Sequence, residues 1–189
     1  CGRSRTRIAG MSRESFPELP EMPEPLARLP VSMLAGMIAR TSFAISAEES
    51  RFTLNGALLV LRSGEAVMVA TDGHRLAYVE AKADIAGLAG VSRVLLPKKA
   101  MTELQRLAQE AGEDAHLDFA MDENHLFFRI GERVLISRKL TGSFPDYERV
   151  LPREVKYIVV VNRDEAKAAI ERVSQFADER SHAMRIQLA

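Results

Sequence analysis

The feature that most constrains the fold of this 189-residue chain is an order of hydrophobic segments that occurs twice. In the first copy, Ala27 to Leu29 end a short strand, and Pro30 opens a helix that continues to about Ile45. Three strand-like segments follow, at residues 51–61, 66–70 and 75–81. Asn55-Gly56 indicates a bend within the first of these segments, and Asp72-Gly73 indicates a tight turn between the other two.

The second copy keeps this order. A strand at residues 93–96 precedes a helix that starts at Pro97, with Met101, Leu104, Leu107 and Ala108 on one face. Three more strands are predicted at residues 116–119, 125–130 and 134–139. The repeated order of a strand, a helix and three strands predicts an α+β domain with internal pseudo-symmetry. We expect its two helices to lie side by side on one face of mostly antiparallel sheets.

The two ends of the chain predict parts of further domains. Residues 1–10 alternate as a strand would, and residues 15–30 are rich in Pro and Glu, which is typical of an extended linker. A third copy begins with a strand at 157–161, a helix at 163–177 and a strand within 182–188. We therefore predict the end of one domain with its linker at 1–20, a complete domain at 21–152, and the start of another at 153–189. Since residue 1 is not Met, we expect an internal portion of a longer protein.

The charge balance argues against tight electrostatic binding of nucleic acid. Lys and Arg number 26, and Asp and Glu also number 26. A zero net charge still permits a local basic face, or a protein that encircles DNA without gripping it. The candidates for such a face are the cations of the two predicted helices, which are Arg40, Lys98, Lys99 and Arg106.

The cysteine content and the short apolar runs indicate a cytoplasmic protein. The single cysteine, Cys1, cannot form an internal disulfide, which fits a reducing compartment. The apolar runs are far too short to span a membrane, so we expect no membrane partner.

Two polar segments, residues 71–77 and 143–152, are the candidates for recognition or chemistry. One alternative function is a small hydrolase that uses Asp72, His74 and Asp146. A free-standing peptide-binding module is a second alternative. The sequence contains no Gly-rich phosphate loop, Cys/His metal spacing or nucleophile elbow, so we predict no cofactor, no metal and no catalysis.

These two segments, together with Leu54-Asn55-Gly56 and Leu96-Pro97-Lys98-Lys99, resemble the hallmark stretches of the second domain of bacterial DNA polymerase III beta subunits. The resemblance implies the DNA-clamp fold and a non-catalytic processivity factor. Such a factor is a ring, closed by head-to-tail dimerisation, around duplex DNA. Its implied partners are the polymerase III alpha subunit, the clamp loader and repair proteins, which dock linear peptides into a pocket between the second and third domains.

The resemblance also implies which residues line the second-domain side of that pocket. They are Leu54, Thr71, Gly73, His74, Arg75, Leu76, Pro145, Arg149 and Val150. The resemblance implies a ring interface between first and third domains, of which this chain holds only the edges, so we expect this chain alone to be monomeric. Because the third domain's share of the pocket would lie beyond residue 189, we also expect this chain to bind partner peptides weakly. The loop at residues 47–50 is acidic where family members often carry side chains that suit DNA, so this departure argues against DNA contact there.

Overall fold

The computed structural model describes residues 5–48, 50–82, 85, 87–88, 90–112, 114–152, 154–177 and 183–187. The chain divides into two units, Cys1–Asp146 and Tyr147–Ala189. The first unit carries two antiparallel four-stranded sheets. Their strands are β1 Ala27–Pro30, β2 Gly56–Arg62, β3 Glu65–Thr71, β4 Leu76–Lys82, β5 Ser92–Pro97, β6 His116–Met121, β7 His125–Ile130 and β8 Arg133–Arg138. The strand orders are β1-β6-β7-β8 and β4-β3-β2-β5.

Two helices of the first unit, α1 (Val31–Thr41) and α2 (Lys98–Glu110), pack against each other and against both sheets. Each helix follows a proline, Pro30 or Pro97, whose extended backbone and missing N–H suit the start of a helix. Apolar residues at helical spacing enter one core that also contains side chains from both sheets. The predicted α+β fold, with its helices side by side, is confirmed.

Two boundaries in the first predicted copy differ most from the prediction. Helix α1 ends at Thr41, and Ser42–Ala44 form a 3-10 turn where the prediction had continued helix. Residues 44 and 45 remain buried, so the apolar spacing continued past the end of the α-helix. The strand predicted from residue 51 was also wrong at its start, because Phe52–Leu54 form another 3-10 turn and β2 begins only at Gly56. Gly56 permits this close pairing, since a Cβ there would lie 2.0 Å from the Leu96 carbonyl oxygen.

The second unit contains one α-helix in its described part, α3 (Arg163–Ser174), which ends before residue 177, where the sequence had predicted its end. The Asn162 side chain accepts hydrogen bonds from the N–H groups of Asp164 and Glu165, at 2.9 and 3.1 Å, which fixes the start of the helix. The strand predicted at residues 157–161 is not formed, and residues 183–187 are not a strand either. A strand needs a neighbour to satisfy its backbone groups, and the described part of this unit offers none.

Residues 5–10 form no strand, while residues 1–4, 182 and 188 of the predicted terminal strands lie outside the described residues. No helix in the described ranges is both long and apolar enough to cross a membrane.

Candidate functional site

The turn between β3 and β4 is held by the buried side chain of Thr71. Its hydroxyl Oγ1 donates to the Arg75 carbonyl oxygen at 2.7 Å and accepts from the Gly73 N–H at 3.0 Å. Thr71 also pairs with Leu76 across the two strands, so the turn closes directly on the sheet. Gly73 has φ +90°, a conformation that other residues rarely adopt.

Asp72 provides a second set of hydrogen bonds within this turn. Its Oδ1 accepts from the N–H groups of His74 and Arg75, at 2.9 and 3.0 Å, and its Oδ2 accepts from the Arg75 Nε at 3.0 Å. These backbone N–H groups, foremost that of His74, lower the pKa of the Asp72 carboxyl from its ordinary value of 3.8 to about 2. The turn is therefore a preformed structure whose carboxylate stays ionised at neutral pH.

The apolar part of the site comes from the 3-10 turn before β2 and from the start of β4. Leu54 ends the 3-10 turn before β2 and is buried, and its backbone carbonyl accepts from the Ser46 N–H at 3.0 Å. Leu76 is half-buried and lines a concave surface together with Arg40, Phe43 and residues 77–80 of β4. The Arg75 guanidinium lies 5.7 Å from the centre of the Phe43 ring, so a cation covers one end of this surface.

Pro145 lies in the connector that leaves β8. That connector runs beside the 3-10 turn of Leu54, because a Cβ on Gly142 would lie 2.6 Å from the Thr53 Cγ2. Pro145 itself is exposed, as is His74. The first unit therefore contains seven of the nine residues predicted for the pocket. Arg149, within the 3-10 turn Tyr147–Arg149, and the exposed Val150 belong to the second unit.

Arg51 is a residue of this region that the sequence did not single out. Its Nη1 donates to the Asp72 carbonyl oxygen at 3.2 Å, and its Nε donates to Glu48 Oε2 at 2.8 Å. The signal available in the sequence was the Glu-x-x-Arg spacing directly before Leu54, which by itself indicates only a solvated ion pair. Glu49 of the same loop lies outside the described residues.

The geometry of Asp72 does not support the hydrolase alternative. The bonds that its two oxygens accept come from backbone N–H groups and from Arg75, while the His74 N–H that it binds belongs to the backbone and not to the imidazole. Within the described ranges, no group of three His, Cys, Asp or Glu side chains could hold a metal ion. The carboxylate of Asp72 thus serves the turn.

The four predicted DNA-facing cations are exposed on α1 and α2, but they differ in their surroundings. The Arg40 Nε donates to the Gly36 carbonyl oxygen at 3.0 Å. Arg106 lies between two carboxylates, 2.9 Å from Glu103 and 3.0 Å from Glu110. Lys98 and Lys99 form no ion pair with any other residue that the structure describes.

Comparison with known proteins places this geometry in a family. The family model for the DNA polymerase III beta subunit, central domain, matches residues 28–146. The beta sliding clamp of Pseudomonas aeruginosa is 36% identical over 190 residues, covering 100% of this chain and 51% of the relative. That of Chlamydia pneumoniae is 33% identical and covers 97% of this chain and 50% of the relative. The chain spans about half the length of the curated relatives it matches.

Solved structures of sliding clamps are also similar to this chain. The crystal structure of the Pseudomonas aeruginosa sliding clamp bound to griselimycin has a TM-score of 0.87 and 36% identity, covering 100% of this chain and 50% of that one. The crystal structure of the Bacillus subtilis sliding clamp has a TM-score of 0.81 and 32% identity, covering 90% of this chain and 44% of that one. Since the family model matches more than half of the residues, the chain belongs to the DNA polymerase III beta subunit family, whose members are the bacterial sliding clamps.

Proposed function

We propose that the full-length protein is a DNA sliding clamp, a non-catalytic cytoplasmic ring that forms by head-to-tail dimerisation and holds the replicative polymerase on duplex DNA. The observation that supports this most directly is the side-by-side packing of α1 and α2 in a chain of the clamp family. Their exposed faces are modestly basic and can face a DNA duplex. We also propose that residues 21–152 are the second clamp domain, between parts of the first and third.

The modest positive charge on these helices suits a protein that slides along DNA better than one that binds DNA tightly at one place. Each tight phosphate contact releases counterions and adds affinity, and it also slows motion along DNA. Arg106 pairs with Glu103 and with Glu110, which it shares with Arg133, whereas Lys98 and Lys99 form no ion pair within the described chain. We therefore assign the electrostatic contact of α2 with DNA to the two lysines.

The ring is tested with the full-length protein, a clamp loader and ATP on nicked circular DNA. A ring remains on the circle during gel filtration at high salt and leaves when the circle is cut. Equal retention on circular and linear DNA would contradict encirclement and favour a simple binding module.

A charge-neutralisation experiment tests which cations face the DNA. In equilibrium binding to short duplexes, replacing Lys98 and Lys99 together by Gln should reduce the magnitude of the negative slope of log affinity against log salt by about 2, since each phosphate contact contributes roughly 0.9. Arg106→Gln is the matched control from the same helix and should change the slope little. A larger effect from the Arg106 variant would place the DNA on a different face of α2.

We further propose that the turn at residues 71–76, with Leu54 and Pro145, forms the second-domain side of a pocket for linear peptides. The polymerase III alpha subunit, the clamp loader and repair proteins would present such peptides. A preformed turn beside a few apolar side chains suits a short extended ligand. By resemblance, Arg149 and Val150 contribute as well, and their role stays a prediction.

The pocket is tested by fluorescence anisotropy with the full-length protein and a labelled peptide. The peptide carries a glutamine followed by apolar residues ending in Leu-Phe. Griselimycin, which the Pseudomonas aeruginosa clamp binds, serves as a competitor. Specific binding that griselimycin displaces is expected, and equal binding of a scrambled peptide would contradict the proposal.

A further inference from the structure

Arg51 connects the two parts of the first unit that carry the proposed peptide site. On one side, its guanidinium Nη1 donates to the Asp72 carbonyl oxygen within the Thr71–Leu76 turn, at 3.2 Å. On the other side, its own backbone carbonyl accepts the Leu54 N–H at 2.8 Å. One residue thus binds both Leu54 and the Thr71–Leu76 turn, which strands β2 and β3 separate in sequence.

The guanidinium lies close to the backbone of the turn at Gly73. A Cβ on Gly73 would lie 3.2 Å from the Arg51 Nη1, so the side chain rests directly on the backbone of this glycine. The Asp72 side chain accepts hydrogen bonds from within the turn, whereas the Asp72 carbonyl accepts one from outside it. The bond from Arg51 therefore adds a contact from outside the turn to the peptide unit between Asp72 and Gly73, whose N–H already binds the Thr71 hydroxyl.

Glu48 fixes the direction of the guanidinium. It accepts from the Arg51 Nε at 2.8 Å, and its backbone carbonyl accepts the Arg51 N–H at 3.1 Å. Because the guanidinium is planar, binding Nε on one edge determines where the Nη1 hydrogens point. Lysine carries its three donors on one rotatable ammonium, so it lacks the planar fork that holds two bonds in fixed directions. The arrangement Glu48–Arg51–Asp72 therefore favours arginine.

We propose that Arg51, oriented by Glu48, is a positioning residue for peptide binding that holds the Thr71–Leu76 turn at a fixed distance from Leu54. The inference rests on the proposed peptide-binding function of this site. It assigns to Arg51 a role exerted through the turn.

The test compares full-length variants in the peptide anisotropy assay and in amide NMR spectra without peptide. Arg51→Ala and Arg51→Lys should each weaken the Leu-Phe peptide about fivefold, equivalent to ~1 kcal/mol. Glu48→Gln should weaken it about twofold on the same scale, and the double variant Glu48→Gln with Arg51→Ala should be no worse than Arg51→Ala alone.

Arg62→Lys provides a matched control. Arg62 forms an ion pair with Glu65 at the same three-residue spacing, and its side chain is 47% exposed against 42% for Arg51. That pair lies between β2 and β3, at the opposite end of β3 from Thr71. The control should leave peptide affinity unchanged.

The spectra separate positioning from direct contact. In the free protein, Arg51→Lys and Glu48→Gln should shift the amide signals of Gly73 and His74, whereas Arg62→Lys should not. Unchanged amide signals or unchanged affinity in the Arg51 variants would overturn the inference, as would a fully additive double variant. If the wild-type protein binds no peptide, the proposed function fails, and the amide signals still decide whether Arg51 sets the turn.

Discussion

Thr71→Val is the substitution that most sharply tests whether the β3–β4 turn is preformed. Valine keeps the shape of the buried side chain but removes the hydroxyl, and with it the bonds to the Arg75 carbonyl at 2.7 Å and from the Gly73 N–H at 3.0 Å. Each intramolecular hydrogen bond contributes a net ~0.5–1.5 kcal/mol. Gly73 and Arg75 are exposed and can bind water instead, so we place the total loss at about 1–2 kcal/mol.

Native-state amide hydrogen exchange measures this loss where it occurs. A change of about 1–2 kcal/mol corresponds to exchange roughly 5–30 times faster. The Gly73 N–H should show it first, because it loses its acceptor. If the turn opens as one unit, the amides of His74 and Arg75, which Asp72 holds, should accelerate by the same factor.

Two controls make the result specific. Thr71→Ser restores a hydroxyl and should return most of the protection. Thr102→Val removes one exposed bond, from Oγ1 to the Lys98 carbonyl at 3.1 Å, and should leave the turn unaffected. Unchanged exchange at Gly73 in Thr71→Val would refute the reasoning, and so would equal acceleration throughout β6 and β7, which would indicate a global loss of stability.

Two further predictions concern the same turn. Leu76→Ala in the full-length protein should lower the affinity for the Leu-Phe peptide about fivefold, since a half-buried leucine contributes roughly half of the ~1.5–3 kcal/mol of a fully buried one. His74→Ala should lower that affinity less. Unchanged affinity of the Leu76 variant in the anisotropy assay would mean that the pocket is misplaced. The folded-state pKa of Asp72 is lowered to about 2, so its carboxylate stabilises the turn fully at pH values above its ordinary pKa of 3.8. This stabilisation is lost as the pH falls from 3.8 through about 2. Carboxyl NMR titration of Asp72 should give this low midpoint, Asp72→Asn should abolish it, and a midpoint at the ordinary value would contradict the geometry.

Hydrophobic spacing predicted most of the first unit because each of its strands and helices buries one face in a shared core. Hydrophobic spacing gave wrong predictions where a buried residue does not belong to a regular helix or strand, or where an apolar run has no strand to pair with. Residues 52–54 have the composition of a strand, yet they form a 3-10 turn that ends in the buried Leu54. The β-branched run at residues 157–161 predicts a strand, but spacing describes which faces are apolar and does not supply a neighbour to pair with.

The candidate site shows the same division between local and distant interactions. The turn was predictable from Asp72 and Gly73 because the Asp72 carboxylate and the Gly73 N–H form their hydrogen bonds within four residues. Arg51 and Phe43 carried no comparable signal. The Arg51 bond to Asp72 spans 21 residues, and the Phe43 ring meets Arg75 only after α1 has packed against β4. Local chemistry in the sequence therefore specifies the shape of the turn, whereas the packing of the elements around it specifies which side chains hold that turn in place.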